Sequence, residues 1–260
     1  MNGAVAVAVL LLVVAGSIGI VILVRRRTGR IEAGLSAEFA TVLYGLLLGL
    51  LLVGANDHYD SARQAAATEA TAASAVVVSS IGLPETDRVR IQHDAICVMR
   101  ATVDREWPTL VTDADGSPPV HAAIARLIED SSALARSSDP VSSARSAALV
   151  DRAVALSVAR DDRVDHAYTA ISPALWVIAF LGAGIVVVLT GIGVSESNRR
   201  RWVVAMIPMV VLLISVFYVL AAVDNPYTGV FFRVSPASMQ QTIADITADH
   251  PAAGVLAACP

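Results

Sequence analysis

EFATVLYGLLLGLLLVGANDHYDSARQAAATEATAASAVVVSSI, residues 38–81, is the stretch on which the reading of this chain turns. Residues 39–53 are apolar, and the segment then runs without proline through Asn56-Asp57-His58-Tyr59-Asp60 into an alanine-rich run, 62–78. The first half suits lipid and the second, amphipathic half suits water. One continuous helix, half in the bilayer and half out of it, satisfies both. At about 1.5 Å per residue such a rod is on the order of 60 Å long, roughly twice the hydrocarbon core.

The rest of the chain agrees with a membrane reading. It is 55% hydrophobic and 16% charged, with a mean hydropathy of +0.64, a composition of membrane proteins rather than soluble domains. Hydropathy places spans at 5–24, 35–54, 174–194 and 203–223, each near the roughly 20 residues that a spanning helix needs. The first has no positive n-region, its apolar run is too long for a signal peptide, and its arginines follow it, so it is expected to remain as an anchor.

Orientation rests on arginine, since the chain has no lysine. Arg25, Arg26, Arg27 and Arg30 lie between spans one and two, and Arg199, Arg200 and Arg201 between spans three and four. Both short loops are therefore expected in the cytoplasm. The resulting plan is span one at 1–24, an Arg-rich cytoplasmic loop at 25–34, span two at 35–54, and an extramembrane region at 55–172. Span three follows at 174–194, a second Arg-rich loop at 195–202, span four at 203–223, and a turn, short helix and tail at 224–260. The region between spans two and three then faces outward, in the cell membrane of a multi-pass protein.

That outer region reads as helix throughout, so the predicted class is all-α. Gly82-Leu83-Pro84 ends the rod. Val89, Ile96, Val103 and Trp107 form a helical stripe that Pro108 is expected to stop, with Glu106 as a surface acid in its last turn. Residues 112–119 are a turn-rich loop holding Asp113 and Asp115. Val120, Ile124, Leu127 and Leu134 mark the next helix. Asp139-Pro140 caps another that reaches about 170, and Ser172-Pro173 repeats the signal before span three. Pro208 is expected to kink span four. Asp224-Asn225-Pro226-Tyr227-Thr228-Gly229 reads as a turn just outside the membrane, with Phe231-Phe232 at the interface. Ser235-Pro236 caps a short helix bearing Met239, Ile243 and Ile246, and the tail beyond His250-Pro251 is expected to be loose. Cys97, in Ala95-Ile96-Cys97-Val98-Met99, reads as a buried small apolar residue. A bond to Cys259 is allowed if the domain faces an oxidising compartment.

Span two has a face of its own. At 100° per residue Glu38, Gly45, Gly49 and Asn56 fall within about 20° of one line, and Arg63 continues it. Gly45-Leu-Leu-Leu-Gly49 has the spacing that lets two helix backbones approach, so this line is a helix-packing seam or the wall of a water-filled path. In the second case Asn56, Asp57 and Asp60 make an acidic outer mouth, Glu38 an acidic inner end, and Leu48 or Leu52 an apolar constriction.

Catalytic and metal motifs are absent: no HExxH, CxxC, P-loop or GxSxG occurs, and the five histidines are scattered. Asp57-His58-Tyr59-Asp60 is the densest polar cluster and reads as a solvated helix exit. No cofactor and no metal are predicted, and an enzyme is the class the sequence supports least. A net charge of −4 gives no reason to expect a nucleic-acid partner.

Several of these residues carry a resemblance. Asn56, Tyr59 and Arg63, then Glu69-Ala70, Glu106-Trp107-Pro108, Asp224-Asn225-Pro226-Tyr227-Thr228-Gly229 and Val234-Ser235-Pro236 together resemble a bacterial family of bestrophin-like membrane proteins. The likeness spans about residues 38–245. It implies a four-span protein and, by analogy with bestrophins, a homo-oligomeric ion channel of five copies passing inorganic ions. Bestrophins hold the region between spans two and three in the cytosol, whereas the arginines here place it outside. No bestrophin neck or calcium-site residue is matched in this chain. The alternative class is a membrane-anchored sensor or interaction protein that displays its helical domain outside the cell membrane.

Overall fold

The computed structural model describes residues 3–28, 34–110, 116–193, 199–227, 232–249, 254–255 and 257–259. These residues are mostly helical with no strand among them: α1 Gly3–Thr28, α2 Gly34–Ser80, α3 Glu85–Ala101, a π-helical turn Thr102–Glu106, α4 Trp107–Leu110, α5 Pro118–Ala133, α6 Pro140–Asp165, α7 Pro173–Gly193, α8 Arg199–Asp224 and α9 Ala237–Asp249. Among the described residues four helices are long and apolar enough to cross a membrane: Ala4–Val24, Glu38–Ser80, Pro173–Ile192 and Met206–Asp224. Arg30, Asp113, Asp115, Thr228, Gly229, Phe231, His250 and Pro251 lie outside the described residues. The second Arg-rich stretch is helical sooner than expected, because α8 opens at Arg199.

The chain folds as two compact units, 1–59 with 169–232, and 60–168 with 233–260. In the first, α1, α7 and α8 pack with the N-terminal part of α2 around Leu10, Val14, Tyr44, Leu48, Ala55, Phe180 and Phe217. Tyr44 donates from its hydroxyl to the Ala179 carbonyl at 2.8 Å. Its ring fills the notch at Gly182, where a Cβ would lie 2.4 Å from the Tyr44 ring. Trp176, Phe180 and Phe217 form an aromatic cluster, with Phe180 and Phe217 5.0 Å apart. Pro208 does not end α8, which continues to Asp224.

In the second unit α5 packs on α3 and α6, around Ile91, Ile96, Met99, Val120, Ile124, Leu127, Leu149 and Leu156. The cap expected at Asp139 is present, its carboxylate accepting from the Ser142 amide at 2.7 Å. The helix it opens ends at Asp165 rather than near 170. Trp107, Ile96, Ile124 and Leu127 are buried as expected, while Val89 and Val103 only flank the core.

Two expectations about the stripe are corrected by one local feature. Pro108 does not stop the helix, which runs on to Leu110. The turn before it is π-helical, with the Trp107 N–H reaching back to the Thr102 carbonyl. Proline has no N–H to give and its ring crowds the preceding turn, and a widened turn relieves that conflict. The extra residue also rotates Glu106 inward, so it is fully buried rather than a surface acid. A third correction is Cys97. It is buried, but it is bonded to Cys259, which ties the C-terminal tail to α3.

Candidate functional site

Span two presents its marked line to the outside of its own unit. Glu38, Gly45, Gly49, Asn56 and Asp57 are exposed, while Tyr44, Leu48 and Ala55 on an adjoining flank are buried. A Cβ added at Gly45 or Gly49 would meet nothing within 4 Å. The close glycine packing inside the unit is instead at Gly182 and Gly191 of α7, and the Trp202 indole donates to the Gly191 carbonyl at 3.1 Å. Of the two candidate constriction residues, Leu48 is buried among its own unit's helices and Leu52 is half-buried. Leu48 lies about 80° around the helix from the line of Gly45 and Gly49, on the flank that packs into its own unit. Asp60 and Arg63 are exposed further along α2.

The residues of the Glu69 and Glu106-Trp107-Pro108 motifs converge in the second unit. Glu106 accepts from Arg160 Nε at 3.2 and 3.0 Å and from the Ser117 amide at 2.8 Å. Arg163 donates to both Glu106 and Glu69 and lies over the Trp107 ring, 4.8 Å from its centroid. The Trp107 indole donates to the Val234 carbonyl at 3.4 Å. Glu69, Glu106 and Arg163 have no exposed surface and Arg160 is 5% exposed. Two guanidinium groups thus meet two carboxylates in a dry interior, where an unmatched charge would be expensive.

The two carboxylates respond differently to this setting. Burial pushes Glu69 above the usual carboxylate range, and the Arg163 charge and hydrogen bond offset it only in part. Burial also acts to raise Glu106, but the Arg160 hydrogen bond, the Arg163 charge and the Ser117 amide more than reverse it and hold the group below that range. The cluster joins α2, the π turn, α5's start and α6. Pro108 itself is exposed beside it.

The other motif closes the first unit. Asp224, expected in an outer turn, is the last residue of α8 and is fully buried. Its carboxylate accepts from the Ile171 amide at 2.8 Å and the Trp176 indole at 3.3 Å. Its carbonyl accepts from Ala170 at 3.1 Å. One side chain thereby ties the segment before α7 and the Trp176 ring to the end of α8. Asn225 then makes the turn, accepting from the Tyr227 amide at 3.2 Å, and Pro226 is buried within it. Tyr59 packs edge-on to Phe232, ring centroids 6.3 Å apart.

Arg160 and Arg163 are absent from the sequence-based candidates, although a signal for them exists. Leu149, Ala153, Leu156, Arg160, Arg163 and Ala167 recur at spacings of four and three, and all are buried. The stripe of α6 runs straight through both arginines, which a solvated face would not do.

Comparison with known proteins agrees with this architecture. No curated protein matches the sequence significantly. The crystal structure of a bacterial bestrophin homologue from Klebsiella pneumoniae is similar at a TM-score of 0.69 and 13% identity, covering 94% of this chain and 98% of that one. A point variant of that homologue gives 0.66 and 14%, covering 92% and 98%. At such identities the likeness is one of fold. The Bestrophin-like domain model matches residues 3–239, and the chain, an all-helical membrane protein, belongs to the bestrophin-like family.

Proposed function

We propose that this protein is a homo-oligomeric ion channel of the cell membrane whose conduction path is lined by the exposed face of span two. The observation that carries this reading is the asymmetry of α2. One side is packed inside its unit, whereas the line of Glu38, Gly45, Gly49 and Asn56 is open along its length. A carboxylate such as Glu38 at the end of an apolar span is costly against lipid and is accommodated by water or by another subunit. A ring of copies, five by analogy with bestrophins, supplies both. Asn56, Asp57 and Asp60 then form stacked polar and acidic rings at the outer mouth, and Glu38 a ring at the inner end. Such rings concentrate cations and repel anions. With Leu48 inside the subunit, Leu52 is the apolar constriction of this path.

Reconstitution in planar bilayers tests this. The expected result is single-channel current with cation preference, and in the Asp57→Asn, Asp60→Asn double variant a reversal potential moved toward anion preference. A monomeric particle without conductance at any potential, pH or calcium level removes the channel reading and leaves a helical domain displayed outside the membrane.

A further inference from the structure

Three side chains with metal-ligand chemistry meet on α3, outside everything described above. His93 and Cys97 stand four residues apart, one above the other on one helix face. Cys259 arrives from the tail, 162 residues along the chain, and bonds to Cys97. The ligand atoms of His93, Cys97 and Cys259 all lie within 4.8 Å of one another. His93 Nε2 is 3.5 Å from Cys97 Sγ, and His93 Nδ1 is 3.5 Å from Asp94 Oδ1. A carboxylate beside one ring nitrogen orients an imidazole and leaves the other nitrogen for a metal. Asp94 is only 6% exposed and faces Asp130, with which it makes a side-chain hydrogen bond. Asp94 lines, with Cys97, Cys259, Asp104 and the arginines Arg100, Arg105 and Arg126, a cavity of about 530 Å³.

We propose that the Cys97–Cys259 bond is the closed form of a redox-gated metal site, and that reduction opens it to a soft divalent ion such as Zn²⁺. Two thiols of a small-molecule reductant give two electrons and two protons to the disulfide and leave as their own disulfide. Cys97 and Cys259 are then thiols, and each releases its proton to solvent as its sulfur binds the ion. Two thiolates and His93 Nε2 make three of the four positions of a tetrahedral N/S site, with the fourth open to the cavity. Oxidation removes both thiolates together, so bond and metal exclude each other.

The test uses the full chain in detergent with Co²⁺ as a spectroscopic probe and Zn²⁺ as competitor. After reduction and removal of the reductant, the protein is expected to take one equivalent of Co²⁺ with a thiolate-to-metal absorption in the near ultraviolet, displaced by Zn²⁺. The untreated protein takes none. Cys259→Ser, at an exposed tail position, is expected to weaken that absorption and the affinity while helicity by circular dichroism is kept. Asp94→Asn, acting through His93, is expected to lower affinity about 10–100-fold. His93→Ala keeps both sulfurs and should weaken binding with helicity unchanged, which separates ligand loss from misfolding. No thiolate band in the reduced protein, equal uptake by the oxidised one, or binding unchanged in both Cys259→Ser and His93→Ala would overturn the proposal and leave a purely structural disulfide.

Discussion

Arg163 is central to the second unit's buried charge, since it donates to both Glu69 and Glu106 while lying over Trp107. Arg163→Ala leaves two carboxylates in a dry interior with one guanidinium between them. Removing one partner of a buried pair typically costs about 3–5 kcal/mol, and chemical denaturation in detergent should show a loss of that size. The acid response follows from Glu106. Its carboxyl is held below the usual range in the folded state, so its contribution is full above the ordinary glutamate value and is lost as pH falls toward the depressed one. Glu69, raised by burial, has the opposite sign: its contribution is full below the ordinary value and lost as pH rises through the raised one. Glu106→Gln should therefore destabilise at neutral pH and flatten the acid side of the stability curve, while Glu69→Gln should flatten the other side. Melting temperatures across pH measure both.

At the scale of elements, helix α2 and its neighbour α7 carry glycines with opposite surroundings. A methyl at Gly182 would press on the Tyr44 ring at 2.4 Å, and that ring is held by its hydrogen bond to Ala179. Gly182→Ala is expected to cost about 1–3 kcal/mol through overpacking. Gly49→Ala meets nothing within 4 Å in its own subunit, so the monomer should lose no stability and gain up to about 1 kcal/mol from helix propensity. If copies of α2 approach one another there, the same substitution lowers the oligomer fraction, read as particle mass in mild detergent. Spacing alone marked Gly45 and Gly49 as a seam. It could not say that the intrasubunit contact falls elsewhere, because a GxxxG pair shows that a backbone can be approached and not what approaches it. The π turn at Thr102–Glu106 was hidden for a related reason. Helical periodicity assumes a constant 3.6 residues per turn, and one wide turn re-aims every side chain after it.

For the whole molecule, the expected topology holds 57–172 outside the cell. The Cys97–Cys259 bond supports this side, since disulfides persist in oxidising compartments. A cysteine introduced within 113–117 should be labelled by an impermeant reagent in intact cells. Labelling only after lysis reverses the orientation and brings it into line with the cytosolic domain of bestrophins.

The sequence by itself determined the class, the four apolar helices, the unbroken rod that carries residues 38–80 and the helix cap at Asp139. Each of these is a local or periodic property, dictated by hydropathy over a helix length, by absence of proline, or by one side chain beside its own backbone. Tertiary structure alone decided which polar residues are inside. Glu69, Glu106, Arg160 and Arg163 are far apart in the chain and unremarkable singly, and Asp224 reads as a turn residue. They are buried only because folding brings an opposite charge or unpaired donors to each, an outcome set by partners that no local window contains. Cys97 and Cys259 are the limiting case, since proximity across 162 residues is a fact of packing that neither neighbourhood encodes.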